Sequence, residues 1–235
     1  MKVRIRKLTL AAWLIVLLAA ACSAQESLSP IQAGNKLYAE KQYELAIKEY
    51  RLVSAGDEAY ATAIYNIGVC EYELWRTDEA IETYRQAIKL KHGGYWKASF
   101  ALAIALEEEN RLAEAKEAYI QSIRTSPNEN PWAKFKLGLL EANEGELEFA
   151  ARLFREASAR SGEHVASSHN NLGVMLARMG RLSEAEKEFG IALKQSRGSI
   201  SEAEHNLQLC RSLLATAENR DTIEKLKLSL PTFFR

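Results

Sequence analysis

One three-residue pattern recurs five times along this chain of 235 residues at a nearly constant interval. Each occurrence has a small residue, an alanine twelve positions later and an aromatic residue four positions after that. Successive sets are 34, 35, 35 and 35 residues apart: Gly34-Ala46-Tyr50, Gly68-Ala80-Tyr84, Ala103-Ala115-Tyr119, Gly138-Ala150-Phe154 and Gly173-Ala185-Phe189. A fixed period of this length predicts a solenoid, in which each unit buries one face against the next and no single unit folds alone.

The spacing within a unit predicts two antiparallel helices. A residue without a large side chain lets two helix backbones approach closely, so the small residue and the alanine are expected where the paired helices cross. The aromatic residue one turn later continues an apolar stripe at helical spacing. We predict first helices at residues 28–40, 58–73, 95–109, 130–143 and 165–179, and second helices at 43–54, 77–90, 112–125, 146–160 and 182–196.

The pattern resembles the tetratricopeptide repeat, whose form is W-x2-L-G-x2-Y, then A-x3-F, then P, on a 34-residue period. Its Leu-Gly step is matched at Ile67-Gly68, Leu137-Gly138 and Leu172-Gly173, and its closing proline at Pro127. The tryptophan is missing, and its slot holds Ile64, Lys134 or His169. The resemblance implies an all-α, right-handed α-solenoid of about five helix-turn-helix repeats within residues 28–197. Their approximate bounds are 28–57, 58–93, 95–127, 130–162 and 165–197.

The region after the fifth unit is predicted to hold one more helix, at residues 199–217. Asn206-Leu207 repeats the register of the first helices, but no paired second helix follows. This is typical of the polar-faced cap at the open end of a solenoid. Residues 218–235 form a C-terminal tail, in which a short helix is expected from Thr222 to Leu228, before Pro231.

The N-terminal residues have the order of a secretory signal peptide. Four basic residues precede an uncharged run from Leu8 to Ala21, and small residues follow. A membrane-spanning helix needs about 20 apolar residues, so an uncleaved anchor is the weaker interpretation of this run. Residues 1–21 are therefore predicted to be a signal peptide.

The residues around Cys22 give the predicted cleavage site a second interpretation. The run from Leu18 to Ser23 resembles a bacterial lipobox, although Ala19 stands where leucine is usual. This resemblance implies that Cys22 is lipidated, becomes the mature N-terminus and anchors the protein to a membrane. The alternative is ordinary cleavage after Ala21 or Ala24, which would leave a soluble periplasmic protein.

Charge and cysteine content limit the remaining classes of function. Four of the 31 basic residues and none of the 31 acidic residues precede Cys22, which leaves 27 basic against 31 acidic residues and a net charge of −4. A nucleic-acid partner would require a basic stripe, so none is expected. Cys70 and Cys210 lie four repeats apart, too far for a disulfide, and are expected to be free thiols in small helix slots.

No arrangement of residues predicts catalysis. The histidines, His92, His164, His169 and His205, have no metal-ligand spacing, and neither a phosphate-binding loop nor a nucleophile elbow occurs. The acidic run Glu107-Glu108-Glu109 is interpreted as a solvated helix end. We therefore expect a non-enzyme that needs no cofactor or metal.

The concave face, lined by the first helices, is the remaining candidate for a binding site. The positions three before, two before and one after each glycine are expected on it. Aromatic rings beside amide and ammonium groups suit an extended peptide, because asparagine side chains can pair with its backbone. The predicted groove residues are Asn35, Tyr65, Asn66, Lys97, Phe100, Phe135, Lys136 and Asn171. The alternative is that these residues only serve packing within the family.

One special use of this groove is rejected. Some tetratricopeptide modules bind a C-terminal carboxylate with two lysines, two asparagines and an arginine. Asn35, Asn66 and Lys97 match three of these slots, but Ile31 and Ala101 replace the other lysine and the arginine. One remaining ammonium group cannot hold a carboxylate as a multidentate set does.

The sequence therefore favours an exported scaffold or adaptor of the bacterial cell envelope, lipid-anchored on the periplasmic side and binding a peptide or protein partner. The alternative is an accessory subunit that docks an envelope enzyme, such as a cell-wall hydrolase or protease. Fold alone does not name the partner.

Overall fold

The computed structural model describes residues 28–216 and 225–231, and within these ranges the chain forms eleven helices and no strand. The first helices of the five pairs are α1 (Pro30–Ala39), α3 (Tyr60–Glu73), α5 (Trp96–Glu108), α7 (Pro131–Glu144) and α9 (His164–Arg178). The second helices are α2 (Tyr43–Tyr50), α4 (Thr77–Leu90), α6 (Leu112–Thr125), α8 (Leu147–Ser158) and α10 (Leu182–Ser196). A single helix, α11 (Ser201–Thr216), follows.

Each helix packs mainly against its neighbours in the chain, so the molecule is an α-solenoid of helix pairs. This confirms the predicted fold class. The predicted helix bounds agree with the observed ones to within a few residues, and α2, which ends at Tyr50 instead of residue 54, shows the largest difference. The predicted signal peptide and Cys22 lie outside the described residues.

In four of the five helix pairs, a glycine of the first helix lies against an aromatic ring of the second. A Cβ atom built on Gly138 would lie 2.9 Å from Cε1 of Phe154, and one built on Gly173 would lie 2.6 Å from Cε1 of Phe189. Gly34 and Gly68 stand in the same relation to Tyr50 and Tyr84. The repeating alanines, Ala46, Ala80, Ala115, Ala150 and Ala185, are all fully buried. The small residue thus makes room for the ring of the partner helix, whereas the spacing had predicted only a close approach of the two helices at this position.

The turn inside each repeat is closed by a residue with a left-handed backbone. These residues are Lys41, Trp75, Asn110, Gly145 and Gly180, with φ between 57° and 87°. The N–H of the next residue donates to a carbonyl five positions back, as from Arg181 to Leu176 at 2.8 Å. This bond pairs a carbonyl that the helix end would leave unsatisfied. Glycine fills this position in the fourth and fifth repeats, where a left-handed backbone costs it no steric strain.

Helix α7 begins at a capped N-terminus, as its sequence indicates. The side chain of Asn130 accepts a hydrogen bond from the N–H of Ala133 at 3.3 Å, and Pro131 is the first helical residue. The amide group of Asn130 also donates to Ser122 at 2.8 Å. The cap thereby joins the third repeat to the fourth.

The C-terminal tail differs from its prediction. No helix occurs within residues 225–231, so the helix expected up to Leu228 is not formed over this part of the tail. Lys227 and Ser229 instead pair their backbone groups with asparagine side chains of the solenoid. A tertiary contact that residue periodicity does not reveal has therefore overridden the local helical pattern.

Both described cysteines are free and buried. Burial raises the pKa of the Cys70 thiol to about 12 and also raises that of Cys210. These thiols are consequently poor nucleophiles at neutral pH. Among the helices of the described ranges, none is long and apolar enough to cross a membrane.

Gly138→Leu should destabilise the solenoid, because the new side chain would enter the space filled by the buried ring of Phe154. Overpacking of this kind costs about 1–3 kcal/mol or more, which corresponds to a melting temperature lower by several degrees. Thermal unfolding followed by circular dichroism measures the effect.

Gly190→Leu is the matched control. Gly190 also lies inside a helix, but it is exposed and nothing lies within 4 Å of a Cβ atom built on it. Replacing glycine inside a helix gains up to about 1 kcal/mol of helix propensity, so this variant should be as stable as the wild type or more stable. Equal melting temperatures for the two variants would show that the packing of the Phe154 ring does not require a glycine at position 138.

Candidate functional site

An open groove runs along the first helices of repeats one to three. Two adjoining depressions form it and share the side chains of Tyr65 and Val69. The first is lined also by Asn35, Tyr38, Tyr50 and Asn66, and the second by Tyr72, Tyr84, Trp96, Lys97, Phe100, Ala101 and Ile104. Five of the eight residues predicted from the sequence therefore line one continuous surface, which we call the N-terminal groove.

The polar end of the N-terminal groove is a hydrogen-bonded cluster across two repeats. The hydroxyl of Tyr50 donates to Oδ1 of Asn35 at 2.8 Å, and Nδ2 of Asn66 donates to the same atom at 3.2 Å. Burial raises the pKa of Tyr50 to about 12, so the phenol stays protonated at neutral pH and remains a donor. Asn35 is exposed and Asn66 is half-buried, which places both amides at the surface of the groove.

The apolar end of the N-terminal groove is formed by half-buried rings. The ring of Tyr65 lies 5.3 Å from that of Tyr95 and 6.1 Å from that of Tyr84, and burial raises its pKa. Phe100 packs against Tyr119 with 5.9 Å between ring centroids. The Lys97 side chain is exposed, with its ammonium group 5.7 Å from the centroid of the Trp96 ring. This end combines apolar surface with one cationic group.

Phe135 does not lie on the groove surface, and the expectation that it does is corrected. Its side chain is fully buried, with its ring centroid 5.7 Å from that of Phe154. The corresponding rings of Tyr65 and Phe100 also pack on the aromatic residue of their own second helix, so this column lies at the edge of the core. Phe135 belongs to a buried cluster that extends through the fifth repeat and includes Leu226 of the tail.

Lys136 is also less available to a ligand in the groove than the sequence indicated. Its ammonium group lies 3.0 Å from Oε1 of Glu107 in the preceding repeat, and this lysine side chain is only 12 % exposed. The hydroxyl of Tyr119 donates to the other oxygen of Glu107 at 2.6 Å. Lys136 thus takes part in an ion pair between repeats three and four.

Asn171 contacts a peptide segment in this structure, and the segment belongs to the chain itself. Oδ1 of Asn171 accepts the N–H of Ser229 at 2.7 Å, and Nδ2 donates to the carbonyl of Ser229 at 3.0 Å. One carboxamide thereby pairs with both backbone groups of one residue. The sequence assigned Asn171 to peptide binding but did not indicate this occupant.

Asn206 of α11 makes the same pair of bonds two residues earlier in the tail. Its Oδ1 accepts the N–H of Lys227 at 2.8 Å, and its Nδ2 donates to the carbonyl of Lys227 at 2.7 Å. Nδ2 of Asn170 donates to that carbonyl at 3.0 Å. The three asparagines are fully buried, and we call them, with the tail segment they hold, the occupied site.

The occupied site and the N-terminal groove have asparagines at the same position of the repeat. Asn66 and Asn171 both lie two residues before the glycine of their repeat, and Asn206 falls 35 residues after Asn171. All three therefore occupy one column of the solenoid. The sequence showed that Asn206 shares the register of the first helices, but α11 was interpreted as a cap and Asn206 was not assigned to the groove.

The described residues show no arrangement for metal binding. Within residues 28–216 and 225–231, no group of three or more histidine, cysteine, aspartate or glutamate side chains is placed to hold a metal ion. His169 pairs with Glu188 at 2.6 Å, and His164 contacts the carbonyl of Ala157 at 3.0 Å. Burial lowers the pKa of His164.

Comparison with protein families agrees with this architecture. A tetratricopeptide repeat family model matches residues 31–95, 72–131 and 135–200. These ranges cover well over half of the chain, and the chain belongs to the tetratricopeptide repeat family. Members of this family generally serve as interaction modules without catalytic activity.

Solved structures share the fold. A crystal structure of MamA has a TM-score of 0.60 at 21% identity, and the match covers 70% of this chain and 94% of the MamA chain. MamA from Desulfovibrio magneticus RS-1 has a TM-score of 0.58 at 18% identity, covering 72% and 93%. YrrB, described as a tetratricopeptide protein with an unusual peptide-binding site, has a TM-score of 0.60 at 21% identity, covering 82% and 97%. No curated protein matches the sequence.

Phe135→Ala should destabilise the fold by about 3–5 kcal/mol, because it removes a fully buried ring and leaves a cavity. Phe100→Ala should cost clearly less, since that ring is only half-buried. Urea unfolding of both variants separates the two cases. Equal losses would mean that the two rings do not differ in their contribution to the core.

Proposed function

We propose that this protein is an exported interaction scaffold of the bacterial cell envelope, which binds an extended segment of a partner protein in the N-terminal groove. The family supports a role in protein–protein interaction.

The proposal of an extended peptide as the ligand rests on the pairing of Asn171 with the backbone of Ser229. It demonstrates that an asparagine in this column can hold an extended chain through both of its backbone groups. Asn66 occupies the same column, beside the exposed amide of Asn35. We therefore infer that Asn66 pairs with the main chain of a bound segment in the same way.

The rings of the N-terminal groove would supply the remaining affinity. Tyr65, Tyr72 and Phe100 are half-buried, so a ligand that covers them removes further apolar surface from water. Exposed Lys97 would favour an acidic or carbonyl-bearing residue at that end. The ligand class that fits is an extended segment with apolar side chains and an unmodified backbone. YrrB, which shares the fold, is itself described as having a peptide-binding site.

The proposed location depends on the N-terminal sequence. The basic residues, the apolar run and the small residues before Cys22 have the order of an export signal. Lipidation of Cys22 would hold the solenoid at the periplasmic side of a membrane. A scaffold held there would meet envelope proteins by diffusion in two dimensions.

Asn66→Ala and Tyr65→Ala should each weaken binding of a peptide selected on the mature protein from a displayed peptide library. Removing one interface anchor commonly costs more than about 1 kcal/mol, or about fivefold in Kd. Titration calorimetry measures the loss, and circular dichroism checks that helicity is unchanged.

Two further variants sharpen this test. Asn66→Asp has almost the same shape but loses the amide donor, so it should bind nearly as poorly as Asn66→Ala if backbone pairing matters. Lys89→Ala changes an exposed residue of a second helix and should bind like the wild type. Wild-type affinity in all variants of Asn66 and Tyr65 would place the ligand elsewhere on the solenoid.

Cys22→Ser should release the protein from the membrane fraction into the soluble fraction. A lipid chain contributes about 0.8 kcal/mol per buried CH₂ group to membrane binding, and the variant lacks the attachment point. Fractionation of cells followed by immunoblotting measures the distribution. A soluble wild-type protein with Ser23 or Gln25 at its mature N-terminus would disprove the lipid anchor.

A further inference from the structure

The C-terminal segment Lys225–Pro231 lies in the occupied site as an extended ligand would. Asn171 and Asn206 pair with alternate residues, Ser229 and Lys227, as the two-residue period of an extended chain requires. Pro231 favours this form, because the residue before a proline is disfavoured in the helical region. Side chains of the solenoid thus take the place of a neighbouring strand.

These contacts depend little on the identity of the residues they hold. The Lys227 side chain is exposed, and five of the six hydrogen bonds between the asparagines and the tail engage its backbone N–H and carbonyl groups. The sixth joins the hydroxyl of Ser229 to Oδ1 of Asn171 at 3.4 Å. The site can select side chains only at two positions. Leu226 is buried in the apolar cluster, and Ser229 is fully enclosed. Another extended chain with similar residues at these two positions could make the same contacts.

The occupied site also offers a polar group that the tail leaves unused. The hydroxyl of Ser167 is buried and has no hydrogen-bond partner among the described residues. Ser167 lines a cavity together with Val165, Ile200 and the tail residues Leu230 and Pro231. Buried hydroxyls are ordinarily paired, so the site has room and a bonding group beyond those that the tail engages.

We propose that the groove between α9 and α11 is a second peptide-binding site, which the C-terminal segment fills until an extended segment of a partner protein displaces it. The partner segment carries a large aliphatic residue at the position of Leu226 and a small residue at that of Ser229. It has no proline at the positions of Lys227 and Ser229, whose N–H groups are required. The site is separate from the N-terminal groove, and variants of Asn66 do not test it.

Covalent attachment gives the tail an advantage over a partner. A tethered segment competes at a high effective concentration, which a free peptide must exceed to displace it. A free peptide with the same contacts therefore binds the wild-type chain weakly. It binds at least about tenfold more tightly once the tail is prevented from pairing.

The test uses the full chain and a fluorescein-labelled peptide with the sequence of residues 225–231. The double substitution Lys227→Pro and Ser229→Pro removes both tail N–H donors without shortening the protein. Fluorescence anisotropy should then show at least about tenfold tighter binding of the labelled peptide than to the wild type. A folded double variant that binds no more tightly than the wild type would overturn the proposal.

Two controls test whether the backbone is what the site binds. A peptide methylated on the nitrogens that correspond to Lys227 and Ser229 should fail to bind the double variant. Adding Asn171→Ala and Asn206→Ala to the double variant should abolish binding of the unmodified peptide, whereas adding Asn66→Ala should not. Concentration-dependent dimerisation in light scattering would assign the site to the tail of a second copy and contradict a partner protein.

Hydrogen exchange of the wild-type protein supplies a test that does not depend on the folding of a variant. A displaceable tail opens locally, so the amides of Lys227 and Ser229 should exchange faster than core amides of α9, such as that of Leu176. Exchange of the tail amides only at the rate of global unfolding would show that the segment is a permanent part of the fold. That result would also overturn the proposal.

Discussion

The contact of an aromatic ring with a glycine on the facing helix is the constraint on which this solenoid depends. In four repeats, a Cβ atom on the first helix would come within 2.9 Å of the ring carried by the second. The third repeat has Ala103 in this slot, and both Ala103 and Tyr119 are fully buried. Because the ring sets how closely the two helices approach, it also fixes how each first helix presents its outer residues to the groove.

The period of the sequence was sufficient to predict this architecture. Steps of 34 and 35 residues identified the helix pairs and their approximate bounds, because both of these features repeat. The sequence predicted that Phe135 and Lys136 are exposed on the groove, and this was wrong because their surroundings do not repeat along the chain. Phe135 lies in a buried cluster that extends into the fifth repeat and the tail, and Lys136 pairs with Glu107 of the third repeat, so neither environment follows from the period.

The tail shows the same limit of sequence reasoning more clearly. Residues 225–231 include alternating leucines, and the sequence was interpreted as a short helix up to Leu228. The structure has neither helix nor strand within residues 225–231, and Asn171 and Asn206 supply partners for the backbone of Ser229 and Lys227 instead. The asparagine column was visible in the sequence at Asn66 and Asn171, but the occupant could only be found in three dimensions.

The two parts of the concave face thus carry the same type of asparagine side chain. In the fifth repeat and the capping helix, asparagines already hold a chain, whereas the N-terminal groove displays the same type of residue beside half-buried rings. We infer that the asparagine column binds the backbone of extended segments.

A crystal structure of the mature protein with a peptide selected by its N-terminal groove tests this claim most directly. The account predicts an extended peptide with one residue whose N–H and carbonyl both pair with the carboxamide of Asn66. A peptide bound as a helix, or bound on the second helices without contact to Asn66, would contradict it.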